Sequence, residues 1–245
     1  MTEDGGGRRR MVRLPTAGDA EGRSPPKRLK SARKHSASSQ AWLERQINDP
    51  YAAKARARGY RSRAAFKLIE IDDRHHLLRR GARVIDLGCA PGGWLQVAIE
   101  RGVGKVVGVD LLPVDPVPPA DILQGDFSAP GCEQWLLDHL GGPPDLILSD
   151  IAPNTMGHRQ TDHLRIIGLV ELAADFAIRT LVPGGAFVCK AFQGGETAGV
   201  LRLLRAHFAE VRHIKPKSSR SDSSEVYLTA MGFKGRRPTD PAGAA

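Results

Sequence analysis

Cysteine is scarce in this chain of 245 residues: Cys89, Cys132 and Cys189 are the only three, and none stands in C-x-x-C spacing. That scarcity excludes a disulfide-built fold and a thiolate zinc site, and it fits a reducing cytoplasm. Long apolar runs are missing as well. No uncharged stretch approaches the roughly 18 residues of a membrane span, and Arg8-Arg9-Arg10 leads into no apolar signal-peptide core. A transit peptide is the competing reading of the Arg- and Ser-containing start, but Glu3, Asp4, Asp19 and Glu21 are acids that such peptides avoid. The G-x-G-x-x-G fingerprint of dinucleotide binding is also absent, which disfavours a nicotinamide dehydrogenase.

Acidic residues are in deficit only in the first third. Residues 1–80 carry 20 Lys/Arg against 9 Asp/Glu, whereas residues 81–245 carry 16 against 18. A basic N-terminal part joined to a nearly neutral remainder points to a polyanionic partner, nucleic acid ahead of membrane because no strongly amphipathic apolar face accompanies the charge. Residues 1–38 are rich in Gly, Pro, Ser, Arg and Lys and hold almost nothing bulky and apolar, so they are expected to be a disordered basic tail. A domain is expected over 39–233, opening with basic helices in 39–80, and 234–245 read as a flexible tail.

Within 39–80, Trp42, Leu43 and Ile47 have helical spacing, and Asp49-Pro50 reads as a cap followed by proline at the first helical position. A basic helix carrying Lys54, Arg56 and Arg58 should run to about Gly59. Ser62 is expected to cap the next helix, on which Phe66, Leu68 and Ile69 face a core.

Beyond it, short apolar runs at 83–87, 105–110, 121–124, 146–149 and 185–189 read as buried strands. They alternate with helical patterns near 93–101, 131–140, 161–180 and 196–207. Alternation of this kind predicts an α/β, Rossmann-like, mostly parallel sheet with helices on both faces. The runs 210–215 and 225–231 are separated by a loop too short for a helical crossover. They are therefore expected as a terminal antiparallel hairpin completing seven strands.

The first strand ends in Gly88, Gly92 and Gly93 and leads at once into a helix, an arrangement that brings backbone N–H groups close to a ligand. Ligands of open α/β sheets lie beyond the carboxyl ends of the strands. Asp110 ends the second strand about 20 residues on, where a carboxylate accepts from ribose hydroxyls. Asp126 follows the third strand and could accept from an adenine amino group, and Asp150 ends the fourth. Any one strand-terminal Asp is usually a loop cap; three beside a glycine turn are hard to explain that way. Asp86 either braces the turn or meets the cofactor's amino group, and Trp94 either shields the cofactor or packs in the core. Lys190, on the same rim as Asp150, reads as a snorkelling strand end or a functional amine. Lys67 and Glu225, taken singly, read as surface ion-pair members.

Five segments in order carry a specific likeness: Arg61 to Leu68 with Lys67, Asp86 to Trp94, Ser149 to Asn154 with Asp150, Lys190 to Gly194, and Glu225-Val226-Tyr227. Together they resemble the FtsJ/RrmJ family of S-adenosylmethionine-dependent RNA ribose 2′-O-methyltransferases, and within it the bacterial members that methylate a uridine of 23S ribosomal RNA. The likeness spans about 39–233. It implies a catalytic tetrad at Lys67, Asp150, Lys190 and Glu225, and S-adenosylmethionine contacts from Gly92, Trp94, Asp110, Asp126 and Asp150. It implies ribosomal RNA as partner, within the large subunit, and a cytoplasmic monomer with no metal. Departures are Cys89, where alanine is usual, and Ser224, where a basic residue usually precedes the glutamate. Lys190 as neutral amine would take the hydroxyl proton, with Asp150 as its orienter and Lys67 and Glu225 positioning the hydroxyl. Basic residues from Lys54 to Arg63, with Lys215, Lys217 and Arg220, would hold RNA phosphates. The competing functions are transfer-RNA ribose methylation and, in another class, a non-catalytic ribosome-assembly factor.

Overall fold

All seven apolar runs become strands, and their alternating side chains divide the interior into two layers. The computed structural model describes residues 47–152, 159–192, 198–220 and 223–235. The expected tail 1–38, the helical pattern at Trp42 and Leu43, Pro153-Asn154, Gln193-Gly194 and the C-terminal segment from 236 lie outside them. The compact unit described here begins at Asp49.

In chain order the unit runs α1 (Pro50–Ala57), α2 (Ala65–His75), β1 (Arg83–Leu87), α3 (Gly93–Glu100), β2 (Lys105–Asp110), β3 (Asp121–Gln124) and α4 (Cys132–Leu140). It continues with β4 (Leu146–Ser149), α5 (Arg159–Thr180), β5 (Ala186–Phe192), α6 (Ala198–His207), β6 (Phe208–Ile214) and β7 (Glu225–Phe233). The sheet order is β3-β2-β1-β4-β5-β7-β6. Neighbours among β1 to β5 are parallel, while β7 lies antiparallel between β5 and β6. The chain winds outward from β1 in both directions, so the crevice between β1 and β4 is the topological switch point, where open α/β sheets take ligands.

Alternation along each strand fills both faces. Ile85 and Leu87 of β1, Val107 and Val109 of β2, Ile147 of β4 and Phe187 of β5 pack against Leu136 of α4, Phe176 of α5 and Leu204 of α6. Val84, Val106, Leu146, Leu148, Val188 and Tyr227 face the other way, onto Leu68 and Ile71 of α2 and Leu95 of α3. By the same alternation Asp86 and Lys190 belong to this second face.

The sequence placed these elements to within a few residues, and the differences have local causes. Strand β5 extends through Lys190 to Phe192, because β7 supplies a paired partner for every residue from Ala186 on. Lys190 therefore lies inside a strand, not after one. Asp49 caps α1 as expected, its Oδ1 accepting the N–H groups of Tyr51 and Ala52. Ser62 does not cap α2: that helix starts at Ala65, and the Ser62 hydroxyl is buried without a hydrogen-bond partner among the described residues.

Phe187 sits mid-sheet with its side chain fully buried, paired on one side with Ile147 and on the other with Ala230. Phe187→Ala is expected to lower the unfolding free energy by about 3–5 kcal/mol in urea titration. A loss below about 1 kcal/mol would show that this layer is not the core.

Candidate active site

The glycine turn is fixed from β2. Gly88 and Cys89 donate their N–H groups to the Val109 carbonyl at 2.8 and 3.2 Å. Asp110 then accepts from Ala90 N–H at 2.8 Å with one carboxylate oxygen and from Leu112 N–H at 2.8 Å with the other. Asp110 is thus a brace for the turn, and each oxygen keeps a second lone pair for ribose hydroxyls. Gly88 has φ +78°, and a Cβ there would stand 2.6 Å from Ile151 Cγ1. This close approach is open only to glycine. Gly92, at φ +103°, ends the turn as the residue before α3. The first amides of α3 have no intrahelical acceptor.

The Arg61 guanidinium ties this turn to the segment after β2, donating to the carbonyls of Pro91 (3.2 Å), Asp115 (2.6 Å) and Pro116 (2.7 Å). Trp94 is packed, not exposed: its indole N–H donates to the Ala64 carbonyl at 2.8 Å and its ring lies 5.7 Å from that of Tyr227. The side chain belongs to the core, so only its backbone is at hand for a ligand. Asp126 is exposed, and one of its oxygens accepts both the N–H and the hydroxyl of Ser128. These hydrogen bonds hold its carboxyl below the usual range.

Asp86 braces nothing. It is 1% exposed, and neither carboxylate oxygen has a hydrogen-bond partner among the described residues. Burial, then the negative charges of Asp150 and Asp110, push its carboxyl well above the usual range. A buried acid without a partner is costly, and its two bare acceptors suit a cationic group arriving from outside.

At the other side of the switch point four ionisable groups meet around one tyrosine. Lys190, 8% exposed, donates from Nζ to the Asp150 carbonyl at 2.7 Å and to Asp150 Oδ1 at 2.8 Å. Tyr227 stands opposite Lys190 in the β5–β7 register, and its hydroxyl donates to the same Asp150 Oδ1 at 2.7 Å. Lys67 Nζ lies 5.6 Å from the centre of the Tyr227 ring and 2.6 Å from Glu225 Oε1. Burial alone would raise the Asp150 carboxyl; the positive charges of Lys190 and Lys67, with the hydrogen bonds from Lys190 and Tyr227, outweigh it and hold it below the usual range. Burial and the Asp150 charge push the Tyr227 hydroxyl well up, so it stays protonated and donates. The antiparallel turn of β7 is what puts Glu225, its first residue, on the rim where the parallel strands end.

The structure thus brings Lys67, Asp150, Lys190 and Glu225 together and places Asp110 and Gly92 at the neighbouring turn. In the sequence Tyr227 stands out only as part of the Glu225-Val226-Tyr227 motif. Its spacing of two from Glu225, which puts both on one face of a strand, was the available signal. The basic set is smaller than the sequence suggested. Arg63 is tied to Asp49 at 2.5 Å, Arg220 to the same Asp49 at 3.4 Å, Lys215 to the Ser223 carbonyl at 2.8 Å, and Arg61 to the turn. Arg56 and Lys217 are exposed, and their side chains have no ion-pair partner among the described residues.

The model of the FtsJ-like methyltransferases matches residues 60–233. The chain belongs to that family. A protein of Caulobacter sp. (strain K31) named ribosomal RNA large subunit methyltransferase E is 66% identical over 226 residues, covering 92% of this chain and all of the relative. A protein of the same name from Acidiphilium cryptum is 60% identical over 207 residues, covering 84% of this chain and 92% of its own. Among solved structures, a Plasmodium falciparum protein provisionally described as a ribosomal RNA methyltransferase superposes with a TM-score of 0.65 at 33% identity, covering 72% of this FtsJ-like chain and all of that one. The tetrad residues all lie within the matched span.

Asp86 gives a pH test of the site. Its folded carboxyl binds its proton more tightly than the unfolded chain does, so its ionisation removes stability as pH rises from the ordinary carboxylate range through the folded value. Melting temperatures of Asp86→Asn and wild type, measured without cofactor between pH 4 and 8, should therefore diverge, the variant gaining on wild type as pH rises. A constant difference would mean that Asp86 has a partner.

Proposed function

We propose that this FtsJ-like protein transfers a methyl group from S-adenosylmethionine to the ribose 2′-oxygen of a uridine in 23S ribosomal RNA, acting in the cytoplasm on the large ribosomal subunit. The observation that carries the reading is the convergence of two lysines on Asp150, one directly and one across the Tyr227 ring. The relatives' name, ribosomal RNA large subunit methyltransferase E, favours ribosomal over transfer RNA.

The residues at the switch point fit the cofactor. Asp86 offers two unpartnered acceptors for its ammonium group, the first amides of α3, which have no intrahelical acceptor, offer donors for its carboxylate, and the free lone pairs of Asp110 suit its ribose hydroxyls. One oxygen of Asp126, with no hydrogen-bond partner among the described residues, is left for the adenine amino group. When bound, S-adenosylmethionine supplies an electrophilic methyl carbon on a positive sulfur. The work of the protein is then to align a ribose oxygen and remove its proton.

Lys190 is built for that proton. Before the reaction the ion-paired ammonium gives one proton to solvent; the neutral amine then has two N–H bonds, both taken by the carbonyl and carboxylate of Asp150, and one lone pair for the 2′-hydroxyl. The ammonium that results keeps its negative partner. Tyr227 holds Asp150 in place from the other side, and Lys67 with Glu225 orients the hydroxyl. Lys190→Ala should lower the methyl-transfer rate on large subunits at least about 100-fold while calorimetric affinity for S-adenosylmethionine changes less than about threefold. A variant that binds cofactor and methylates at the wild-type rate would end the assignment.

RNA affinity falls to the exposed, unpaired cations. Arg56→Ala and Lys217→Ala should each reduce the slope of log K against log salt by roughly 1 in RNA binding, whereas Arg63, already paired with Asp49, should contribute little to it. Unchanged slopes for both variants would place the RNA elsewhere.

A further inference from the structure

We propose that Ser219 is a positioning residue for methyl transfer, fixing which oxygen of Glu225 is presented to the substrate. The inference rests on the tetrad reading above and concerns a residue that the five sequence motifs do not include. Glu225 Oε1 receives two donors, Lys67 Nζ at 2.6 Å and the Ser219 hydroxyl at 3.0 Å. No hydrogen bond to Oε2 is formed among the described residues, so Oε2 is the oxygen left for a ribose hydroxyl. A glutamate held by one ammonium alone keeps much of the freedom of its terminal torsion, which has broad, two-fold preferences. A second donor from another direction removes that freedom and makes the two oxygens inequivalent.

Ser219 can do this because the loop carrying it is itself held. Its N–H donates to the Pro216 carbonyl at 3.0 Å, and its side chain is buried. The N–H groups of Lys217 and Ser218 donate to the Glu70 carboxylate at 2.5 and 3.0 Å, and the Ser218 carbonyl accepts from the Arg63 guanidinium. Glu70 lies three residues after Lys67 on α2, so the two side chains share a helix face. One of them grips Glu225 directly and the other grips the loop that delivers Ser219. A single helix therefore sets both donors on Oε1.

A hydroxyl that merely satisfied its own burial would matter to stability and not to turnover through Glu225. The test is a double-mutant cycle of Ser219→Ala and Glu225→Ala, with single-turnover rates and Michaelis constants on large subunits. Ser219→Ala should lower the rate about tenfold with the KM values for RNA and cofactor within about twofold, and in the Glu225→Ala background it should change the rate by less than about twofold. Should the alanine variant fail to fold, Ser219→Cys, similar in size but a weak donor, should show the same loss. Wild-type rates for the Ser219 variants, or the same loss in both backgrounds, overturn the inference and leave the tetrad standing. A Glu225→Ala protein with wild-type activity overturns the inference together with the tetrad.

Discussion

A lysine and an aspartate, both largely removed from water, hold this structure's chemistry in place. Neither charge could be buried alone without a large solvation cost, and each is the other's compensation. Lys190 spends two hydrogens on Asp150, and Tyr227 donates to the same carboxylate, so the aspartate at the end of β4 is fixed from β5 and β7 at once. The sheet order makes this possible. Strands β4, β5 and β7 are adjacent, and Lys190 and Tyr227 face each other by register rather than by any loop conformation. Groups held on paired strands are located more accurately than groups on loops, which is what alignment of a weak nucleophile demands.

On the other side of the switch point the structure carries an interaction left open. Asp86 lies under the glycine turn with two bare acceptors, close enough to Asp150 and Asp110 for each to disfavour its ionisation. A core that only had to be stable would place an apolar side chain there. Unsatisfied groups of this kind gather where a protein gives up stability for binding, and the glycine approach to Ile151 and the start of α3 follow Asp86 directly in the chain. On the proposed reading the buried pair and the unpaired acid divide the tasks: one holds the proton acceptor, the other receives a cation.

Much of this was legible in the residues. Strand positions followed from short apolar runs between Gly, Pro and Asp, because a strand buried on both faces has no polar alternation to blur its ends. The exceptions are the strands of the antiparallel end: β5 runs past the point where the apolar pattern stops at Lys190, β6 starts two residues early at Phe208 and β7 ends two residues late at Phe233, because their mutual pairing is a long-range fact that no local pattern holds. Asp110 takes the loop-cap reading with one hydrogen bond on each oxygen, and its remaining lone pairs are compatible with the ligand reading as well. Trp94 and Arg63 show the limit more plainly. Whether an indole covers a cofactor or a core, and whether a guanidinium faces solvent or Asp49, depends on what folds against it from 30 residues or more away, or on a partner as small as one buried carboxylate. Ser219 was invisible for the same reason: a serine in a polar loop is ordinary until Glu225 is placed beside it.

The central claim is that the charge of Asp150, and not merely its shape, runs the site. Asp150→Asn keeps the size and most hydrogen-bonding capacity while leaving Lys190 without its counter-charge. The direct measurement is nucleotide-resolution mapping of 2′-O-methyl groups on under-methylated large subunits incubated with S-adenosylmethionine and either wild-type or Asp150→Asn protein, both folded by thermal melting. The account predicts one uridine of 23S ribosomal RNA marked by wild type and left unmarked by the variant. The same mark installed by the variant at the wild-type rate would contradict it.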